Sequence, residues 1–328
     1  MGFQSPMIYP NTFEDKIGMA EIRQMLKQHC LSPLGQERVE QMQFLTNATQ
    51  VRLLHTEVGE LARLEAEVDD FPTHGFFDLR PMLRRIRVEG LYMEVEEMWD
   101  LKRALDNIAA IVRLLSTDEQ PYPTLGAKAR QGMTFPAIVK RVDTILDKFG
   151  RVKDGASMTL AGIRHELQTT EGSISRTLYT ILHAAQRDGL VDKDAAPTLR
   201  DGRLMIPVAP GMKRKINGIV HDESATGKTV FIEPAEVVEA NNRIRQLEAE
   251  ERREIVRILT VFTDEVRPNA KDMIDSYHFM GTIDMIQAKA RLAETMKAIV
   301  PTVIDKPHNA NLQSLEASPT TRAQSLEA

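Results

Sequence analysis

Two long stretches with helical periodicity, separated by a short β-rich stretch, constrain the fold of this chain more than any other feature. The first stretch runs from about Ser157 to Gln186, and the second opens after Glu233-Pro234 and continues past Phe262. Thirty helical residues span about 45 Å. Because each stretch carries one apolar seam, we expect two long helices packed antiparallel. The seam residues are Leu160, Ile163, Leu167, Ile174, Leu178, Ile181 and Ala185 in the first helix, and Val237, Ala240, Ile244, Leu247, Ile255, Ile258 and Phe262 in the second.

The stretch between the two helices has the composition of short strands and tight turns. Three runs rich in β-branched residues cover 204–208, 216–221 and 229–232, and glycine and proline separate them at Pro210-Gly211 and Gly227. Such punctuation predicts hairpin-type turns. We therefore expect a small antiparallel β-sheet at the far end of a helical hairpin.

The rest of the sequence predicts a mainly α fold in which a helical bundle precedes the hairpin. Short helical patterns fill the first part of the chain, and residues after Pro301 contain few large apolar side chains and two copies of SLEA. Such a tail cannot bury a core. The predicted organisation is an extension or tag (1–7), a helical core domain (8–133), a first long-helix region (134–198), a β insert (199–234), a second long helix returning to the core (235–301) and a disordered tail, linker or scar (302–328).

Composition and charge favour a soluble cytoplasmic protein. The 328 residues include 42 basic and 47 acidic side chains, a net charge of −5, and a single cysteine. One cysteine cannot form an internal disulfide, and no apolar run is long enough to cross a bilayer. An acidic chain has no global attraction to phosphates, so contact with nucleic acid requires a local basic patch.

The catalytic motifs that the sequence contains are all incomplete. Gly227-Lys228-Thr229 is similar to the end of a phosphate-binding loop, but Asp222 stands where the motif needs its first glycine, and a β run follows instead of a helix. No CxxC or HExxH spacing occurs. We therefore expect no enzymatic activity, metal or cofactor in this chain.

A basic cluster is the feature that points to a binding partner. Five basic residues lie between positions 200 and 215 with one acidic residue, Asp201, which gives this stretch a net charge of +4. Lysine and arginine that neutralise phosphates release counterions and bind nucleic acid without reading its sequence. The alternative is that these charges only solubilise strand edges. The candidate backbone contacts are Arg200, Arg203, Lys213, Arg214, Lys215 and Lys228.

Three stretches of the insert resemble the lever and clamp segment of the MutS family, in the second bacterial branch that lacks mismatch-reading domains and is linked to an Smr nuclease domain. They are RDGRLMIPV at 200–208, KRKINGIVHDES at 213–224 and TGKTVFIEP at 226–234. Further similarity lies at 13–18, 31–35, 152–157, 162–164, 237–243 and 284–291, so the resemblance covers about residues 8 to 301.

The resemblance implies a helical core, two lever helices and a β clamp that contacts nucleic-acid backbone in a two-fold dimer. ATP, Mg²⁺ and cleavage belong to ATPase and Smr domains that follow the levers in full-length relatives, and the motifs of those domains do not occur in these 328 residues. The family role is binding of duplex or branched DNA in recombination control, or binding of rRNA on collided ribosomes. A coiled-coil-like protein-interaction scaffold is the third hypothesis, and dimerisation without the ATPase domain stays open.

Overall fold

The computed structural model describes residues 12–304 apart from 69–70, 73 and 117–120. The predicted extension at 1–7 and most of the predicted tail, 305–328, lie outside the described residues. The fold is mainly helical with one small antiparallel sheet, which confirms the predicted fold class. None of the described helices combines the length and apolar character that a membrane-spanning segment requires.

The described residues form eleven α-helices and four β-strands. Their bounds are α1 Phe13–Lys16, α2 Met19–His29, α3 Pro33–Glu40, α4 Ala48–Glu67, α5 Arg80–Arg85, α6 Val95–Leu115, α7 Pro123–Ala129, α8 Pro136–Ile145, α9 Met158–Arg187, α10 Val238–Val266 and α11 Ala270–Thr295. The strands are β1 Thr198–Arg200, β2 Arg203–Val208, β3 Gly218–Glu223 and β4 Val230–Pro234. The chain divides into two compact units, which are residues 1–78, 110–132 and 276–328, and residues 79–109 and 133–275.

In the first unit, a buried carboxylate on α11 fixes the start of α3. Asp284 is fully buried and accepts hydrogen bonds from the backbone N–H of Leu31 (2.8 Å) and from the N–H (2.9 Å) and hydroxyl (2.5 Å) of Ser32. The Ser32 hydroxyl oxygen in turn accepts from the Gly35 N–H and caps α3. Because a Cβ at Gly35 would lie 2.3 Å from an Asp284 oxygen, only glycine fits at this approach.

Cys30 follows α2 in the same unit and is half-buried, with its thiol donating to the Leu26 carbonyl (3.4 Å). Burial, and secondarily the Asp284 carboxylate, raises the pKa of the Cys30 thiol to about 12. The thiolate is the reactive form of cysteine, so we expect iodoacetamide at pH 8 to alkylate native Cys30 at least about 100-fold more slowly than an exposed thiol. Mass spectrometry of timed samples measures this rate. Labelling in guanidinium is the control and should be fast, whereas rapid labelling of the native chain would contradict the prediction.

The second unit contains α9, α10 and all four strands. Cross-helix contacts pair Ser157 with Glu254, Arg164 with Glu251 and Glu166 with Arg243, so α9 and α10 run antiparallel, as predicted. The observed bounds of both helices lie within a few residues of the predicted ones. Four of the predicted seam residues are only partly buried, namely Ile163, Ile181, Ala240 and Ile255, whereas Leu182, which the sequence pattern left out, is buried.

One hydrophobic core joins the sheet to the two long helices. It combines side chains from α9, from α10 and from one face of β2 and β4. This burial explains why such short strands form a stable sheet, since small sheets need a packed apolar face. Its buried members include Leu178 and Leu182 on α9, Ile244 and Leu247 on α10, and Ile206, Val208, Val230 and Ile232 on the strands.

Candidate nucleic-acid interface

The order of the strands determines where the basic residues lie. The sheet order is β1-β2-β4-β3, and both β2 and β3 pair antiparallel with β4. Val208, at the end of β2, pairs with the start of β4, whereas Gly218, at the start of β3, pairs with Pro234 at the end of β4. The connection 209–217 must therefore return from one end of the sheet to the other. This connection carries Lys213, Arg214 and Lys215, which we call the basic run.

The basic run is exposed and held on an ordered turn. All three side chains are exposed, and none forms an ion pair with a described residue. The turn is fixed by backbone hydrogen bonds from Met212 N–H to the Ala209 carbonyl (2.8 Å) and from Lys215 N–H to the Met212 carbonyl (2.9 Å). The three cations are thus presented to solvent with their charges uncompensated locally.

Lys228 lies in the turn between β3 and β4. Gly227 has a φ of 66°, a left-handed conformation that favours glycine. The Ser224 hydroxyl accepts a hydrogen bond from the Thr229 N–H (3.0 Å), which closes the turn. Gly227-Lys228-Thr229 leads into a strand, as the sequence predicted, and Lys228 is exposed.

Arg200 is partly engaged within the sheet. Its guanidinium carbon lies 4.4 Å from the centre of the Phe231 ring, and a nitrogen lies 3.7 Å from an Asp222 carboxylate oxygen. The side chain remains 45% exposed. Exposed pairs of this kind contribute little energy, so the guanidinium can exchange Asp222 for a phosphate at small cost.

Arg203 is in a different situation, because a buried carboxylate holds its guanidinium. One nitrogen donates to Glu233 (2.6 Å) and another to the Asn242 side-chain oxygen (2.7 Å), and only 14% of the side chain is exposed. Glu233 is fully buried and also meets His221 Nε2 (2.6 Å) and the Asn241 amide (2.8 Å). This network, which we call the Glu233 network, links β2, β3, β4 and the first turn of α10.

The Glu233 network keeps its carboxylate ionised. Burial alone would raise the pKa of Glu233, but hydrogen bonds from Asn241, His221 and Arg203 outweigh that effect and lower the pKa below its ordinary value. The negative charge in turn compensates the guanidinium of Arg203. The guanidinium of Arg203 is thus engaged within the sheet, unlike the exposed side chains of the basic run.

Three arginines of the long helices have carboxylate partners, in contrast to the basic run. Arg164 pairs with Asp154 and Glu251, Arg243 pairs with Glu166 and Glu250, and Arg257 pairs with Glu254. Within the described part of the chain, no cluster of three or more His, Cys, Asp or Glu residues is placed to hold a metal ion.

The sequence identified the basic residues but did not reveal the Glu233 network, which binds Arg203 and leaves the basic run exposed. Asn241 and Asn242 at the start of α10 were the available signal, since an amide that is buried beside an apolar seam needs a hydrogen-bond partner. The partner of Arg203 lies 30 residues further along the chain. Only the strand register brings the two together.

Together, the antiparallel helical hairpin and the four-stranded sheet that shares its core define a class of mainly helical protein with a small basic β insert. No family model matches the chain. Curated relatives do match. The chain is 32% identical over 294 residues to a protein named endonuclease MutS2 from Latilactobacillus sakei. The aligned residues make up 88% of this chain and 37% of that protein. A MutS2 protein from Geobacillus is 31% identical over 300 residues, 90% of this chain and 38% of that protein.

A protein named putative endonuclease MutS2 from Bacillus subtilis is similar at 29% identity over 287 residues. The chain is thus a homologue of MutS2, the second branch of the MutS family, which confirms the resemblance that the sequence motifs predicted. It spans just over a third of the length of these curated relatives.

Proposed function

We propose that this chain is a non-catalytic nucleic-acid-binding segment that grips DNA through sequence-independent contacts to phosphates. The observation that carries the proposal is the basic run, three consecutive exposed cations without an ion-pair partner among the described residues. Phosphate contacts position a protein on a duplex but do not read bases, which matches a cluster of lysine and arginine on a turn. The similarity to MutS2 proteins supports a MutS-like binding role. The word endonuclease belongs to the names of those relatives, and we do not extend that activity to this chain.

The structure suggests different roles for the six candidate residues. Lys213, Arg214, Lys215 and Lys228 act as phosphate ligands, because they are exposed and have no ion-pair partner among the described residues. Arg200 joins them after it releases Asp222. Arg203 is a positioning residue, since its guanidinium is held by Glu233 and Asn242.

Salt dependence tests the phosphate chemistry directly. The four cations without an ion-pair partner, with Arg200 left out, predict that the logarithm of the binding constant falls with the logarithm of salt concentration with a slope of about −3.6 on duplex DNA. Raising salt from about 50 to about 200 mM should then weaken binding roughly 100-fold. Fluorescence anisotropy with labelled duplex and branched DNA measures the slope. An affinity that does not change with salt would contradict the proposal.

Charge reversal of the basic run is the matching mutational test. The triple variant Lys213→Glu, Arg214→Glu, Lys215→Glu should lose about 100-fold in DNA affinity at low salt, because three attractive contacts become repulsive. The control variant Arg187→Glu, Arg252→Glu, Arg253→Glu changes the net charge equally at exposed positions of α9 and α10. Equal losses in the two variants would indicate a general charge effect and overturn the assignment.

The same variants separate the other two hypotheses. Co-sedimentation with ribosomes that is lost in the triple variant, without any affinity for DNA, would favour an rRNA target. Light scattering that shows a stable dimer without nucleic-acid binding would favour the scaffold hypothesis. Either result would replace DNA as the proposed partner.

A further inference from the structure

An exposed aromatic ring before α9 is the feature of this molecule that the basic run does not explain. Phe149 is 69% exposed, the most exposed aromatic side chain among the described residues. Aromatic residues make up only 5% of the chain. An isolated exposed apolar residue is ordinary on its own. Phe149 differs from other exposed apolar residues because it lies on a hydrogen-bonded turn that also carries basic side chains.

The turn that carries Phe149 is held rigidly. The Asp147 carboxylate accepts hydrogen bonds from the N–H groups of Phe149 (2.8 Å) and Arg151 (2.9 Å), and Leu146 pairs with Val152 across the turn. Gly150 has a φ of 77°, and a Cβ there would lie 3.0–3.2 Å from the ring atoms of Trp99. The ring is therefore presented without the entropy cost of ordering a flexible loop.

The turn is also anchored to the long helices. Arg164 on α9 donates from one terminal nitrogen to the Val152 carbonyl (2.8 Å) and to Asp154 (2.6 Å), and its Nε donates to Glu251 on α10 (2.7 Å). Phe149 therefore has a fixed position at the start of α9, whereas the sheet follows the end of that helix. Thirty residues of α9 separate the two places along the chain.

The turn that carries the ring also carries basic side chains. The Lys148 ammonium lies 5.0 Å from the centre of the Phe149 ring, over one face. Arg151 is exposed, and Lys153 donates to the Asp143 carbonyl (2.6 Å). Of the two acidic residues in the turn, Asp154 is paired with Arg164, and Asp147 is engaged by backbone N–H groups. The turn thus combines an aromatic face with a small excess of positive charge.

We infer that Phe149 is a stacking site for an unpaired nucleobase, and that Lys148 and Arg151 contact the flanking phosphates. Proteins bind single-stranded nucleic acid by this combination of aromatic faces and cations, and stacking tolerates any sequence because every base has a π-face. A duplex offers no free base face away from its ends, so the site selects single-stranded or locally unpaired nucleic acid. The inference rests on the proposed function and specifies which nucleic acid the second unit prefers.

The test compares three variants on two substrates. Phe149→Ala should weaken binding of a mixed-sequence single-stranded DNA about tenfold and leave the affinity for blunt duplex DNA within twofold. Phe149→Tyr should retain the wild-type preference, because it keeps the ring. Tyr179→Ala removes a half-exposed aromatic from the carboxyl-terminal half of α9 and is the matched control. Because Phe149 is exposed, its removal should not impair folding.

The only tryptophan of the chain provides a second, label-free readout. Trp99 packs against Gly150, so a base stacked on Phe149 should change Trp99 fluorescence in the wild type and Phe149→Tyr but not in Phe149→Ala. Equal affinity of wild type and Phe149→Ala for single-stranded DNA would overturn this inference but would not contradict the proposed function. That result is expected if the Phe149 ring instead binds a protein partner. Failure of the wild type to bind any nucleic acid would refute both.

Discussion

Replacing Glu233 by alanine is expected to destabilise the sheet-bearing unit by about 3–5 kcal/mol, because it leaves a guanidinium without its counterion. Arg203 is mostly buried, and Glu233 is its carboxylate partner at 2.6 Å. The substitution also removes the acceptor for His221 and Asn241. Urea denaturation followed by circular dichroism measures the loss, and hydrogen exchange of residues 198–234 shows whether it is confined to the sheet.

Two variants serve as controls for the Glu233 prediction. Glu223→Ala removes an exposed carboxylate from edge strand β3 and should change the free energy of unfolding by less than about 0.5 kcal/mol. The double variant Arg203→Met, Glu233→Leu removes both charges and should recover most of the stability, since apolar replacements of buried ion pairs are often neutral. A loss below about 1 kcal/mol in Glu233→Ala would show that the network does not hold the sheet.

Acid titration gives the same network a distinct signature. The folded chain lowers the pKa of Glu233, so its contribution is fully present above the ordinary carboxyl value of 4.5 and is lost as the pH falls through the lower, folded value. Hydrogen bonds from Arg257 and Arg243 lower the pKa of Glu254 and Glu166 in the same direction. Stability should therefore fall steeply below about pH 4.5, and less steeply in Glu233→Gln.

Replacing Asp284 by alanine is the second large effect that we expect, at about 3 kcal/mol or more in the first unit. The substitution leaves three donors without an acceptor, the N–H groups of Leu31 and Ser32 and the Ser32 hydroxyl. A buried donor without a partner costs about 1–3 kcal/mol. Denaturant unfolding measures the loss.

The controls for Asp284 distinguish lost hydrogen bonds from lost volume. Asp284→Asn keeps one acceptor oxygen and should lose less stability than alanine. Asp275→Ala removes an exposed carboxylate of α11 and should be close to neutral. Wild-type stability in Asp284→Ala would mean that α3 and α11 are held by apolar packing alone.

The long helices and three of the four strands could be predicted from sequence, because each depends on local periodicity and turn residues. The short strand β1 could not, since its three residues form a strand only by pairing with β2. The same limit applies to the seam of α9, where Ile181 and Leu182 are equally apolar and both contact the core, but Leu182 is the more deeply buried.

The candidate site could likewise be predicted only in part from the sequence. Charge counting identified all six basic residues, because composition is visible locally. It could not distinguish Arg203 from Lys215, since the difference is an acidic partner brought close by pairing between distant strands. Phe149 escaped notice because a single phenylalanine in a polar stretch carries no periodic signal, and its exposure is a property of the folded turn.

Because the Cys30 thiol is expected to react slowly, a spectroscopic probe can be attached to this chain at an introduced cysteine. A cysteine introduced at an exposed position of the sheet, such as Glu223→Cys, would react with a maleimide dye or a spin label while the native thiol stays protonated. Distances from such a probe to a labelled oligonucleotide could then be followed in solution without first removing a native residue.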